Sequence, residues 1–259
     1  MIGALATYEP QARFDLSNIA TTAEEKNGSH SLNGAKSLVI GGAHADQFIV
    51  SARTSGEQCD ESGISLFLIN KGAEGLTINK HQLMDGQWVA DLELDNVVAD
   101  ALISDEAYSV LTQVFQNADV GLSAEALGIM QKLNATTIEY TKTRKQFGVP
   151  ISSFQVLQHR MVDTFMAYEQ TKSLLFGALC ELTDEVTSDE KSSKTVSALR
   201  TIVAKYGKLI GDEAIQLHGG MGITDELDIG HYVKRLMMIN LIFGNGDFFQ
   251  NRFNQKAYG

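Results

Sequence analysis

Two residue types are scarce in this 259-residue chain, and each scarcity excludes something. Proline occurs only at Pro10 and Pro150, far below the usual share of about 5%, so long helices can run without interruption. Cysteine occurs only at Cys59 and Cys180, with no CxxC or zinc-like spacing, which excludes a disulfide framework and a structural metal site. Two reduced thiols are what a cytoplasmic protein carries. No run of about 18 apolar residues exists, and the opening MIGALATYEPQARFD has no basic stretch ahead of an apolar one. Neither a membrane-inserted helix nor a secretory signal is therefore expected, and the chain reads as soluble and cytoplasmic. Basic side chains are also in deficit: 21 against 32 acidic ones, a formal charge of −11 spread along the chain, which argues against a nucleic-acid or anionic-membrane surface. Hydrophobic residues make up 44% of the sequence, enough for one large domain or two ordinary ones.

The apolar period changes near residue 104. Before it lie short β-prone runs: Ser37 to Ile40, Phe48 to Ala52, Ile64 to Ile69, Leu76 to Ile78 and Trp88 to Val98. In the last run Leu92 and Leu94 alternate with Asp91, Glu93 and Asp95, the pattern of a strand with one face in water. Asn27-Gly28, Asn33-Gly34 and Asp85-Gly86 read as tight turns between runs. An antiparallel β-sandwich or barrel over 1–104 is expected. From 105 to 259 the spacing is helical. One stripe runs through Val110, Val114, Leu122, Ile129 and Leu133, a second through Phe154, Leu157, Met161, Phe165, Tyr168, Leu175, Leu179 and Leu182, and a third through Val196, Leu199, Val203, Tyr206 and Ile210. Pro150 separates the first from the second, and the acidic, serine-rich stretch from Thr183 to Ser193 the second from the third. An up-down bundle of four or more helices follows.

Two short motifs place glycine where a helical pattern stops, and there backbone can approach a ligand closely. They are Arg144-Lys-Gln-Phe-Gly148 and Gln216-Leu-His-Gly-Gly-Met-Gly222. Each has a plainer reading alone: Gly148 as a helix C-terminal cap, Gly219-Gly220 as an interhelical turn and His218 as a partly buried histidine.

In this order, separated by long helices, the two motifs resemble the acyl-CoA dehydrogenase family. The β-half adds to the resemblance through Ala4-Leu-Ala-Thr-Tyr-Glu-Pro10, Leu32-Asn-Gly-Ala-Lys36 and Phe48-Ile-Val-Ser-Ala-Arg53. The resemblance implies a middle β-domain followed by a C-terminal bundle, with the family's N-terminal helical domain absent. It implies FAD as cofactor, an acyl-CoA substrate dehydrogenated at its α,β bond in fatty acid metabolism, an electron-transfer flavoprotein as acceptor, and a homo- or hetero-oligomer with FAD at the subunit interface. By the same resemblance Arg144 pairs with the FAD pyrophosphate, Gln146 and Phe147 line the cofactor, and Gln216, Gly219 and Gly220 contact its adenosine side. Backbone amides of Thr7 and Tyr8 would reach the flavin ring.

The chain departs from the family where the chemistry lies. The usual catalytic glutamate falls at Gly244, or at Phe243 after a one-residue slip, and neither takes a proton. Asp247 is the nearest carboxylate and reads more simply as an N-cap or first-turn acid of the last helix. The alternative base position on an earlier helix falls at Ala118, beside Asp119; one residue rotates a helical side chain by about 100°, so Asp119 reads as a solvent-facing acid. Glu125, about two turns later, is a weaker candidate. Gln11-Ala-Arg-Phe-Asp15 replaces a small glycine-rich run, and Leu38-Val39-Ile40 replaces an aromatic-Ile-Thr strand beside the flavin. Three readings stay open: a base-lacking subunit of a heteromeric dehydrogenase, similar to bacterial pimeloyl-CoA dehydrogenase small subunits; a self-sufficient enzyme using Asp247 or Asp119; and a non-enzymatic structural subunit or truncated fragment that binds no flavin.

Overall fold

A computed structural model describes residues 1–26, 28–183 and 189–258. The described residues form two compact units, 1–114 and 115–259, the division falling inside the first long helix.

In the first unit, strands β1 (Gly3–Ala6), β2 (Thr22–Lys26), β3 (Ser29–Ile40), β4 (Gln47–Arg53), β5 (Ile64–Asn70), β6 (Leu76–Gln82), β7 (Trp88–Val98) and β8 (Ala101–Ser104) build one sheet in the order β6-β7-β3-β2-β4-β5-β8. Most neighbours are antiparallel, as expected, but β1 lies parallel to β4 along Gly3 to Ala6, and β2 meets the far end of β4 in parallel at Thr22 and Arg53. The 7–21 segment between β1 and β2 therefore leaves β4 beside Val50 and returns to it beside Arg53. The alternation read in β7 is kept: Val89, Ala90, Leu92, Leu94 and Val97 are buried with Leu32, Phe48, Val50, Phe67 and Ile69, while Glu93 and Asp95 are exposed.

Asp85-Gly86 turns the chain between β6 and β7, with the Gly86 amide donating to Leu83 O. Asn33-Gly34 does not turn it. Both residues lie inside β3, where Gly34, at φ 151°, marks a register shift against β7. A Cβ there would come within 2.7 Å of Thr21 Cα, so glycine serves a close approach of two backbone segments. Of Asn27-Gly28, Asn27 lies outside the described residues.

The second unit holds helices α1 (Tyr108–Thr143, beginning in the first unit), α2 (Gln155–Thr183), α3 (Asp189–His218), α4 (Ile229–Ile239) and α5 (Gly246–Tyr258), with a small hairpin of β9 (Lys145–Gln146) and β10 (Val149–Pro150) between α1 and α2. Pro150 sits in that break as expected; of the stretch expected to part α2 from α3, 184–188 lie outside the described residues. The third stripe is core: Val196, Leu199, Val203 and Ile210 are buried. The second is core in part: Leu175 is buried and Tyr168 and Leu182 pack against the core, but Phe165 and Leu179 are exposed, and Thr164, Ala167, Thr171 and Ala178 complete the inward face. Small residues let α3 pack closely, which a count of large apolar residues does not register. On α1, Ile129 and Leu133 are buried as expected, but Val110 and Val114 are exposed, and the buried row starts instead at Leu111, Phe115 and Val120 and runs through Ala126 and Met130. No helix among the described residues is long and apolar enough to cross a membrane.

Candidate functional site

The two glycine motifs meet in the bundle. α1 stops at Thr143, and the Ile151 amide bonds to Arg144 O at 2.9 Å, closing the base of the β9–β10 hairpin. Its turn is Phe147-Gly148, at φ 52° and 82°, so Gly148 completes a two-residue hairpin turn with positive φ at both positions, not a helix cap. Phe147 sits at the tip, 93% exposed, in a conformation that non-glycine residues rarely adopt.

α3 ends at His218, and residues 219–223 form a single 3-10 turn. The hairpin base, this turn and the start of α2 border an open cavity of about 490 Å³ whose walls include Arg144, Gln146, Arg160, Gln216, Gly219 and Gly220. A Cβ on either glycine would meet nothing within 4 Å, so the space above them is open to a bound group. Tyr140 and His218 stiffen the back wall: their rings stack at 4.3 Å and Tyr140 OH donates to His218 O at 3.3 Å. His218 Nδ1 lies 2.8 Å from Ala214 O. A carbonyl only accepts, so Nδ1 carries the proton. His218 is thus a buried structural residue, more enclosed than the partly buried one expected. Of the residues predicted for a cofactor, Arg144, Gln146, Gln216, Gly219 and Gly220 converge here, while Phe147 is not among the lining residues.

Thr7 and Tyr8 lie in the other unit, at the start of the 7–21 segment. The Ser37 amide donates to Tyr8 O at 2.8 Å. The fully buried Lys36 ammonium reaches Thr7 O at 3.3 Å, Ser51 Oγ at 3.1 Å and Glu9 Oε1 at 2.6 Å. Glu9 also accepts from the Ala20 and Thr21 amides, so one buried ion pair ties both ends of the segment to the sheet. Burial pushes Lys36 down to about 8 against the pull of Glu9. Burial raises Glu9, but Lys36, Thr21 and Gln11 outweigh it and hold the carboxyl below its ordinary value. Arg53 finishes the job from β4, donating to Ser17, Ile19, Gln58 and Asp60 carbonyls. Leu38 is 59% exposed at φ 52°.

The sequence matches the acyl-CoA dehydrogenase middle domain over residues 4–97 and the acyl-CoA dehydrogenase C-terminal domain over residues 108–254. The chain belongs to the acyl-CoA dehydrogenase family. It is 27% identical over 256 residues to the short-chain specific acyl-CoA dehydrogenase of Megasphaera elsdenii, covering 95% of this chain and 65% of that protein. Among solved structures, the FAD complex of PigA matches 99% of this chain and 67% of its own, at 27% identity and a TM-score of 0.90. The Tcur3481-Tcur3483 steroid ACAD G363A variant matches 98% of this chain and 66% of its own, at 26% identity and a TM-score of 0.84. The chain thus spans about two thirds of the length of the relatives it matches.

Of the candidate base positions, Asp247 lines a cavity of about 350 Å³ with Thr201, Lys205 and Asn240, apart from the one that holds Arg144. At Gly244, φ is 151° and a Cβ would stand 2.6 Å from both the Phe248 and Phe249 rings, so the space a glutamate needs is filled. Asp119 is not solvent-facing. It is buried against Arg200 on α3, Oδ1 to Nε 3.2 Å, and burial pushes it up to about 7 despite Arg200 and the nearby Arg252. Arg200 Nη2 in turn donates to the carbonyls of Ile239, Ile242 and Gly244, so Asp119 and the Gly244 turn share one arginine. Asp247 is an exposed first-turn acid of α5, and the cap is Asn245, whose Oδ1 accepts from the Phe248 amide at 2.9 Å. Glu125 is taken by Arg235 through bonds of 2.6 and 2.8 Å. Sequence reasoning missed Arg200, although a lone arginine inside the apolar stripe of Leu199 and Val203 is the signal of a buried partner elsewhere.

Proposed function

We propose that this chain is the base-lacking subunit of a heteromeric, FAD-dependent acyl-CoA dehydrogenase, lending Arg144, Gln146, Phe147, Gln216, Gly219 and Gly220 to an FAD seated against a base-bearing partner. The observation that carries the reading is Gly244: the space beside it is occupied by Phe248 and Phe249, and its carbonyl is held by Arg200. A position that had merely lost its glutamate by substitution would keep room for one.

The bundle cavity fits the adenosine diphosphate end of FAD by the chemistry of its donors. Arginine offers a planar fork to a diphosphate, Gln146 and Gln216 offer amides, and Gly219 and Gly220 let backbone come close. Bound FAD supplies the hydride-accepting chemistry of α,β-dehydrogenation. This chain's residues bind and orient; the proton acceptor, the acyl pocket and the docking face for an electron-transfer flavoprotein fall to the partner. Phe147 supports an intermolecular role, because an aromatic tip at positive φ and full exposure is costly unless a partner covers it. Exposed Val162, Phe165, Met166 and Phe176 on α2 support oligomerisation in the same way.

The test is co-expression with an acyl-CoA dehydrogenase chain that carries the glutamate. The complex is expected to hold flavin at one FAD per pair of unlike chains and to lose most of it with Arg144→Gln. A complex that keeps its flavin in that variant would show that the cofactor lies elsewhere.

A further inference from the structure

Arg160 lines the bundle cavity alongside Arg144. It lies early in α2, and its Nε donates to Glu213 Oε2 at 2.6 Å, both side chains being half-buried. Glu213 sits on α3 one turn before Gln216, so the pair draws the guanidinium to the wall formed by the Gln216 to Gly220 turn. One bond engages one edge of the guanidinium, whose fork carries five N–H donors. Among the described residues the Arg160 Nη groups meet no acceptor, and neither does the guanidinium of Arg144. Two like charges on the wall of one cavity repel each other unless an anion lies between them. Glu213 is spent on holding Arg160 in orientation.

Resting on the reading of this cavity as a dinucleotide site, we propose that Arg160, oriented by Glu213, is a second anion-binding residue, so that two guanidiniums hold the diphosphate. Charge and fork geometry both matter at such a site, which makes lysine a poor substitute. Glu213 acts through Arg160 as a positioning residue.

The experiment titrates the flavin-stripped complex of this chain with a co-expressed glutamate-bearing partner, using ADP and adenosine, by calorimetry, in the wild type and in Arg160→Gln, Arg160→Lys, Glu213→Gln and Arg144→Gln, with thermal melts confirming that each folds. A lost hydrogen-bonded charge contact corresponds to about tenfold or more in affinity. Arg160→Gln is expected to weaken ADP by about that factor and to leave adenosine unchanged. Arg160→Lys should recover only part of the loss, and Glu213→Gln should weaken ADP by a smaller factor with adenosine again unchanged. Equal losses for ADP and adenosine would assign Arg160 to the fold of the wall and overturn the proposal. Wild-type ADP affinity in Arg160→Gln, with a loss in Arg144→Gln, overturns the proposal and leaves the dinucleotide reading standing. No ADP binding by the wild type, or none lost in Arg144→Gln, overturns both.

Discussion

Asp119 on α1 and Arg200 on α3 face each other at 3.2 Å in the bundle core, each 2% exposed, and the same arginine grips the turn that carries Gly244. Because burial raises Asp119 to about 7, the folded state holds a proton there that the unfolded chain, near 3.8, has released. Its stabilising contribution is complete below about pH 4 and is lost as pH rises through 7. The Asp119→Asn variant should therefore gain stability relative to the wild type as pH rises from 4 to 8, the direction that a carboxyl raised by burial gives. Urea melts at the two pH values check this. A variant that instead loses ground to the wild type over that range would mean that Asp119 serves as a charged partner of Arg200.

Gly244→Ala should destabilise the chain by about 1–3 kcal/mol, since the new methyl collides with Phe248 and Phe249 and the backbone is held at φ 151°. Gly244→Glu should cost more and yield no acyl-CoA dehydrogenation. Thermal melts and a dye-reduction assay read the two effects separately. A stable, active Gly244→Glu would show that the base position is open after all.

Lys36→Met strands the buried Glu9 carboxylate and should cost about 3–5 kcal/mol at pH 7. In the wild type, Glu9 titrates below its ordinary value, so its contribution is present above about 4.5 and is lost as pH falls through the lowered value. In the variant the stranded carboxylate is relieved by protonation. The gap between the two proteins should narrow at pH 4, which denaturant titration of both at each pH measures. A pH-independent gap would argue that Lys36 acts by packing alone.

Much of this was legible in the sequence, and the failures share a cause. The alternation in β7 and the turn at Asp85-Gly86 are local, and local pattern reports them. The convergence of Arg144 with Gln216 and Gly219 was legible only through the resemblance, because no spacing rule links residues on different helices. Asn33-Gly34 was misread because the reason for its glycine is Thr21 on another segment. Asp119 was misread for the same reason: helical phase gives a direction, but whether that direction holds water or Arg200 depends on a distant helix. On α2, Phe165 and Leu179 looked like core, while the alanines and threonines that do the packing carry no strong apolar signal.

The proposed role is that of a chain which contributes to a flavin site without a base of its own. Anaerobic mixing with a panel of acyl-CoA thioesters, following flavin absorbance, tests it most directly. No bleaching is expected for the chain purified alone, even with added FAD, and substrate-dependent bleaching once a glutamate-bearing partner is co-expressed with it. Stoichiometric FAD on the isolated chain, reduced by an acyl-CoA, would contradict it.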